Sequence, residues 1–269
     1  MEDISKRANG EKSGIYRRIK MFLRTVRTYF ALVSGVLLNY RKVLKAGKKF
    51  DDPLAAHKYV YDIASGIIEK TLDRAGVELT VTGEENIPKD RNFVLIGNHQ
   101  SMVDILVILH TIKRPIGFVA KAELKKVPIL RDWMEALGCV FMNRSDLRES
   151  MKALLEGIKM VKEGYSLCIF PEGTRTDGKM LEFKGGSFKL ATKSGAPILP
   201  ITIDGTNRIL EDNGMWIEKA SVRLTYHPII ETKGMSKEEQ NALSERVQDI
   251  VGSALKEEFR FGKNKNIDS

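Results

Sequence analysis

Apolar positions in the first fifty residues recur at helical spacing. On a helix of ~100° per residue, Ile15, Ile19, Phe22, Leu23, Val26, Tyr29, Phe30, Val33, Leu37, Tyr40 and Leu44 share one face, and Arg17, Lys20, Arg24, Arg27, Lys42 and Lys45 lie towards the other. A broad aromatic-rich stripe opposite a cationic one is the pattern of a helix lying in a membrane interface. Phe22, Leu23, Tyr29, Phe30, Val33 and Leu37 are its membrane-docking candidates; the competing reading packs the stripe on the protein's own core. The longest charge-free run, from Thr28 to Tyr40, has 13 residues, short of the ~20 that a span needs. Arg41 and Lys42 follow that run without a small-residue cleavage site, which argues against a signal peptide. Asp51-Asp52-Pro53 predicts an aspartate cap with proline at the first helical position, opening a second helix from Leu54 to Arg74 that ends near Gly76. Residues 1–75 therefore read as an amphipathic two-helix hairpin.

From Val77 the period changes. Short β-branched runs at Glu78–Thr82, Phe93–Gly97, Ile116–Ala120, Cys139–Met142, Ser166–Phe170, Ile198–Asp204 and Ser221–Tyr226 read as strands. Helices fit at Ser101–Thr111, Pro128–Leu137, Asp146–Glu163 and Gly186–Ser194, and Ser236-x-x-Glu239 forms a capping box for a last helix reaching about Phe259. The alternation predicts an α/β domain over 76–269, with a mostly parallel central sheet flanked by helices. Functional residues are then expected at the carboxyl ends of strands. The polar tail from Gly262 is expected to fray.

Composition narrows the partners. The net charge of +9 is uneven: residues 1–50 hold 13 Lys/Arg against 3 Asp/Glu, whereas the other 219 hold 31 against 32. A basic segment on a neutral domain implies an anionic partner for that segment, nucleic acid or anionic lipid. The apolar stripe beside the charges, and the lack of a nucleic-acid motif, favour lipid. Cys139 and Cys168 sit in apolar strand-like runs and read as buried thiols in a reducing compartment. No two of the four histidines share metal-ligand spacing, so no metal is expected.

Two strand exits carry chemistry. In Asn98-His99-Gln100-Ser101-Met102-Val103-Asp104, His99 leaves a strand and Asp104 enters a helix. Within one continuous helix they would point ~140° apart, but with His99 in the preceding turn they can meet. Asp104 would then hold Nδ1–H and leave Nε2 free as a base. Ser101-x-x-Asp104 is also a capping box, and both readings stand. In Phe170-Pro171-Glu172-Gly173-Thr174-Arg175, proline ends a strand, glycine permits close backbone approach, and a carboxylate and a guanidinium are displayed on a loop. H-x-x-x-x-D followed by F-P-E-G-T-R resembles the glycerolipid acyltransferase family, above all its bacterial 1-acyl-glycerol-3-phosphate acyltransferases. The blocks Ile116–Leu124, Gly138–Arg144 and Ala196–Ile201 follow in the family's order, so the resemblance spans roughly 77–230.

The resemblance implies transfer of an acyl chain from a thioester, acyl-CoA or acyl-acyl carrier protein, to a lysophospholipid hydroxyl, with no cofactor. It implies His99 as base and Asp104 as its orienting partner. It also implies Arg175 on the acceptor's phosphate and Glu172 on its glycerol portion. Lys121 and Arg144 are further phosphate contacts or plain surface charges. Gly173 serves backbone approach, and Thr174 contacts substrate or caps the loop. Lysophosphatidic acid and anionic membrane lipid are the expected partners, and the cytoplasmic face of a bacterial membrane the expected location. Glycerol-3-phosphate, other lysophospholipids or lyso-aminolipids remain alternative acceptors. A hydrolase lacks its G-x-S-x-G elbow, and Ser101, the serine nearest His99, is accounted for by capping. A non-catalytic membrane-binding or nucleic-acid-binding protein would leave the ordered His, Asp, Glu and Arg without a purpose.

Overall fold

The computed structural model describes residues 2–261, with side chains from Gly14 onward. The tail from Gly262, expected to fray, lies outside the described residues. Helix α1 runs Glu2–Leu44, and the four-residue helix α2 (Ala46–Lys49) fills what the sequence suggests is a plain turn. Helix α3 (Pro53–Ala75) starts as anticipated: Asp52 accepts from the amides of Leu54 and Ala55, and Pro53 needs no donor there.

Helix α1 has three faces. Thr25, Thr28 and Val43 are buried and Leu32 and Val36 pack on the core. The Thr25 hydroxyl accepts the Ile217 amide, and Arg24 bonds Glu218 at 2.6 Å. The basic residues Lys20, Arg27, Arg41 and Lys45 form a second, exposed side. The apolar stripe forms the third and faces outward, with Phe30 73% and Leu37 52% exposed. The reading in which the stripe packs on the protein's own core holds only for Tyr40 and is overturned for the rest of the stripe. On the inward side Leu32, Val36 and Val43 meet the apolar core, while Thr25 and Arg24 meet amide and carboxylate partners at Ile217 and Glu218. By length and composition Gly14–Lys49 also suffices to cross a membrane. It lies against the protein, however, held at Arg24 by Glu218 and at Tyr40 by Asp132.

The strands are β1 (Val77–Thr82), β2 (Val94–Gly97), β3 (Gly117–Lys121), β4 (Val140–Met142), β5 (Leu167–Ile169), β6 (Ile198–Asp204) and β7 (Ala220–Tyr226). They form one sheet in the order β1-β7-β6-β2-β5-β3-β4. Every pairing is parallel except β6–β7. The carboxyl ends of β6, β2, β5, β3 and β4 thus line one edge.

Strand alternation feeds two cores. Phe93 and Leu95 join a cluster with α3 and Val107 and Ile108 of α4 (Val103–Thr111), and with Trp133 of α5 (Pro128–Ala136). Val94 and Ile96 face the opposite cluster, with Ala153 of α6 (Leu147–Lys162), Leu190 of α7 (Lys189–Ser194) and Val247 of α8 (Lys237–Ser253). Each such fully buried Leu or Ile contributes ~1.5–3 kcal/mol. β2 and β6 are buried along their whole length, so the edge they display rests on the most rigid part of the molecule. The predicted helices at 186–194 and 236–259 each prove to be two pieces. A 3-10 turn (Gly185–Phe188) precedes α7, and another (Glu257–Phe259) follows α8.

Candidate active site

Gly97 ends β2 because nothing larger fits: a Cβ there would stand 2.5 Å from the Ile201 carbonyl oxygen. The chain then leaves the sheet through Asn98-His99-Gln100, stitched to β6 on both sides of His99. The Asn98 amide group donates to Ile203 O at 2.8 Å and accepts from Ile203 N at 2.9 Å, and Gln100 accepts from Gly205 N at 2.8 Å. His99 is thereby fixed at the centre of the carboxyl edge.

Its ring is fixed too. Nδ1 lies 2.7 Å from Asp104 Oδ2, and the Phe170 ring stacks on it with centroids 4.0 Å apart and planes 6° from parallel. Asp104 has no exposed surface. Oδ2 also accepts from the amides of Gln100 (2.7 Å) and Ser101 (3.0 Å), and Oδ1 from the Thr206 hydroxyl. A buried carboxylate needs this degree of compensation. Asp104 therefore orders the turn and holds the imidazole together; of the capping box only the Ser101 amide bond to Asp104 forms, because Ser101 Oγ accepts from Val103 N and Asp104 N bonds the Ser101 carbonyl. The arrangement presents Nδ1–H to the carboxylate and leaves Nε2 to act as a base.

The loop after β5 crosses this turn. Thr176 donates its amide to His99 O at 3.0 Å. Glu172, 3% exposed, accepts from His99 N at 2.9 Å through Oε1 and from Leu181 N at 3.1 Å through Oε2. Both oxygens are thus engaged by backbone amides, and the side chain works as a clamp on His99 rather than as a displayed glycerol contact. Burial pushes its carboxyl up to about 7, against the opposing pull of those two amides. Gly173 has φ +81°, a left-handed conformation suited to glycine. A Cβ on it would approach Lys184 Nζ at 3.0 Å and Arg144 Nη1 at 3.2 Å. Arg144 donates to Gly173 O. Neither Arg144 nor Lys184 has a carboxylate partner among the described residues, which leaves positive charge beside the loop.

Arg175, 44% exposed at its side chain, pairs with Glu211 at 2.8 Å. Thr174 is exposed, its hydroxyl turned to Arg175 O at 3.4 Å. Lys121 shares the edge as the last residue of β3, exposed and with its side chain making no hydrogen bond or ion pair to another described residue. Ser101 is wholly buried, donating to Glu211 and accepting from Val103 N, so it is not available as a nucleophile. Phe22 and Phe30 lie on the outward stripe of α1, and Phe22 meets Trp216 of the loop after β6 at 5.9 Å. Cys139 and Cys168 are buried, and burial pushes the Cys139 thiol up to about 12. Among the described residues no group of three or more His, Cys, Asp or Glu side chains converges as metal ligands.

Phe170, Lys184, Thr206 and Glu211 were not singled out by sequence. Phe170 stands at the head of the F-P-E-G-T-R run, where it reads as a strand residue. Thr206 and Glu211 carry no local signal, since what brings them to His99 is the pairing of β6 with β2.

The comparisons agree with this architecture. The Acyltransferase family profile matches residues 78–204, which contain the whole carboxyl edge. A 1-acyl-sn-glycerol-3-phosphate acyltransferase of Borreliella burgdorferi is 36% identical over 189 residues, covering 70% of this chain and 76% of that protein. The Saccharomyces cerevisiae enzyme of the same name is 32% identical over 186 residues, covering 68% and 61%. The crystal structure of the 1-acyl-sn-glycerophosphate acyltransferase PlsC from Thermotoga maritima superposes with a TM-score of 0.76 at 35% identity, over 87% of this chain and 94% of that one. With a relative 36% identical over most of both chains and a solved enzyme of the same fold at 35% identity, the chain belongs to the acyltransferase family.

Proposed function

We propose that this acyltransferase acylates the 2-hydroxyl of 1-acyl-glycerol-3-phosphate with an acyl thioester, forming phosphatidic acid. The observation that carries the reading is the His99–Asp104 pair, 2.7 Å apart with Asp104 wholly buried, on the same sheet edge as three cations, Arg144, Arg175 and Lys184. The relatives' names supply the acceptor.

His99 Nε2 takes the acceptor's hydroxyl proton as the oxygen attacks the thioester carbonyl carbon. Asp104 steadies the imidazolium that forms. The tetrahedral adduct collapses, the C–S bond breaks, and the thiolate leaves with little help because a thiol's pKa is about 8.5. The proton on His99 then passes to the departing sulfur, and no acyl-enzyme forms. Arg175 binds the acceptor phosphate, with Arg144 and Lys184 as further positive charge and Lys121 at the rim. Gly173 brings backbone close to the headgroup beside Thr174. Glu172 holds His99 in place from behind.

The exposed apolar stripe supports docking of α1 on the leaflet that holds the substrate. A helix that packs Thr25, Leu32, Val36 and Val43 on the protein and turns Phe22, Leu23, Phe30, Val33 and Leu37 outward places the latter where lipid can cover them. Lys20, Arg27, Arg41 and Lys45 flank the stripe and suit anionic headgroups on the cytoplasmic side.

Acceptor and donor are tested together. Purified protein is given vesicles carrying lysophosphatidic acid, another lysophospholipid, a lyso-aminolipid or, in solution, glycerol-3-phosphate, each with palmitoyl-CoA or palmitoyl-acyl carrier protein. Fastest turnover with lysophosphatidic acid is expected. Faster acylation of any other acceptor overturns the assignment.

A further inference from the structure

The loop after β6 reaches the site twice. Thr206 bonds Asp104, and five residues on, Glu211 opens the turn Glu211–Asn213. The Glu211 carboxylate bonds groups from both motif-bearing segments. Oε1 accepts the Met102 amide at 3.0 Å and Arg175 Nη1 at 2.8 Å, and Oε2 accepts the Ser101 hydroxyl at 2.5 Å. Ser101 and Met102 belong to the His99–Asp104 turn, and Ser101 Oγ passes the connection on to the first amide of α4. One carboxylate therefore ties the arginine on the β5 loop to the turn that carries the base.

An arginine on an exposed loop has several rotatable bonds, and ordering it costs free energy when substrate binds. A carboxylate that grips one end of the guanidinium removes part of that cost beforehand. It leaves the remaining N–H donors unclaimed by described residues, and these can still meet a phosphate bidentately. Because the same carboxylate holds Ser101 and Met102, it also sets the separation between the phosphate anchor and His99. Misplacing a bound hydroxyl by an ångström relative to its base is costly to the rate.

We infer that Glu211 is a positioning residue that pre-orders Arg175 for the acceptor's phosphate and locks it in register with the catalytic turn. The inference rests on the acyltransferase reading above, in which Arg175 meets that phosphate.

The test uses full-length wild type, E211Q, E211A, R175A and R175A/E211A. Two readouts run in parallel, with thermal midpoints recorded for each protein. One is kcat and KM for lysophosphatidic acid in vesicles. The other is calorimetric binding of glycerol 3-phosphate, a soluble phosphate-bearing fragment that needs no turnover. E211A is expected to raise KM and to weaken glycerol 3-phosphate binding by about tenfold or more. E211Q keeps an oxygen for Met102 and Arg175 and should recover most of that loss. In the R175A background, E211A should add less than about threefold, because the two residues act as a unit.

Tighter binding or a lower KM in E211A would mean that Glu211 competes with phosphate, and would overturn the inference. So would a lower thermal midpoint with wild-type kinetics and binding, or an undiminished E211A effect in R175A. Wild type that binds glycerol 3-phosphate but makes no phosphatidic acid would count against the proposed reaction, while the binding series still decides on Glu211. Wild type that fails to bind the fragment would overturn the inference.

Discussion

Replacing Asp104 with asparagine isolates the charge behind His99. The carboxylate accepts four hydrogen bonds, from His99 Nδ1, Gln100 N, Ser101 N and the Thr206 hydroxyl. Alanine would orphan all four donors around a wholly buried side chain, at ~1–3 kcal/mol each, and endanger the fold. Asparagine can keep its oxygen towards the three N–H groups and turn its amide to Thr206, whose hydroxyl then accepts. The geometry survives and the charge is lost. An ion pair about 4 Å apart at an effective dielectric constant of ~20 is worth ~4 kcal/mol, and a charged hydrogen bond exceeds a neutral one by ~1–2 kcal/mol. A loss of ~2–4 kcal/mol in the state where His99 carries the proton lowers kcat by about 30- to 1000-fold. KM for lysophosphatidic acid should stay near wild type, because Asp104 has no exposed surface to offer a substrate. Steady-state kinetics on vesicles, with thermal melts as a control for folding, provide the assay. A folded D104N enzyme with kcat within threefold of wild type would refute the argument that this carboxylate supports the imidazolium.

Two further outcomes follow from burial and exposure. Glu172 is pushed up to about 7 from an ordinary 4.5 by burial, so its contribution to stability is complete below about pH 4.5 and is lost as pH rises through about 7. Relative to E172Q, which does not titrate, wild type should lose up to ~3 kcal/mol between those limits in denaturant titrations; a stability gap that does not change with pH contradicts the assignment. Replacing Phe22, Phe30 and Leu37, each at least half exposed, with aspartate should leave the thermal midpoint nearly unchanged and release the enzyme from anionic vesicles in a flotation assay. Undiminished flotation of that triple variant counts against docking through α1.

How far the sequence reaches can be seen at individual residues. His99 and Asp104 were legible because a strand exit and a helix entry five residues apart leave few geometries, and contact is one of them. The seven strands were legible because β2, β5 and β6, buried on two faces, write themselves as short apolar runs, and the outer β1 and β7 as alternating ones. The reversal at β6–β7 is consistent with the absence of any predicted helix between those two strands, since a parallel crossover needs one, but the alternation elsewhere draws attention away from that gap. For Glu172 the resemblance implies a contact to the acceptor's glycerol portion, and the sequence shows only a glutamate on a loop. Only the packing of the β5 loop against the β2 exit shows both oxygens engaged by backbone amides. For α1 the stripe itself was plain, but its orientation was not. Thr25 and Thr28 carry no apolar signal, yet both are buried: Thr25 accepts the Ile217 amide, and Thr28 lies on the face that Leu32, Val36 and Val43 pack on the core. Thr206 and Glu211 lie about a hundred residues from the turn they support, and no local pattern links such distant positions.

The reaction and its base are best tested in one experiment. Wild type and H99A are incubated with anionic vesicles containing lysophosphatidic acid and labelled palmitoyl-CoA, and phosphatidic acid and free thiol are followed together. Acyl-acyl carrier protein replaces the donor in a parallel run. The account predicts equimolar phosphatidic acid and thiol from wild type with at least one donor, and almost none from a folded H99A protein. Phosphatidic acid formed equally well by H99A would contradict it.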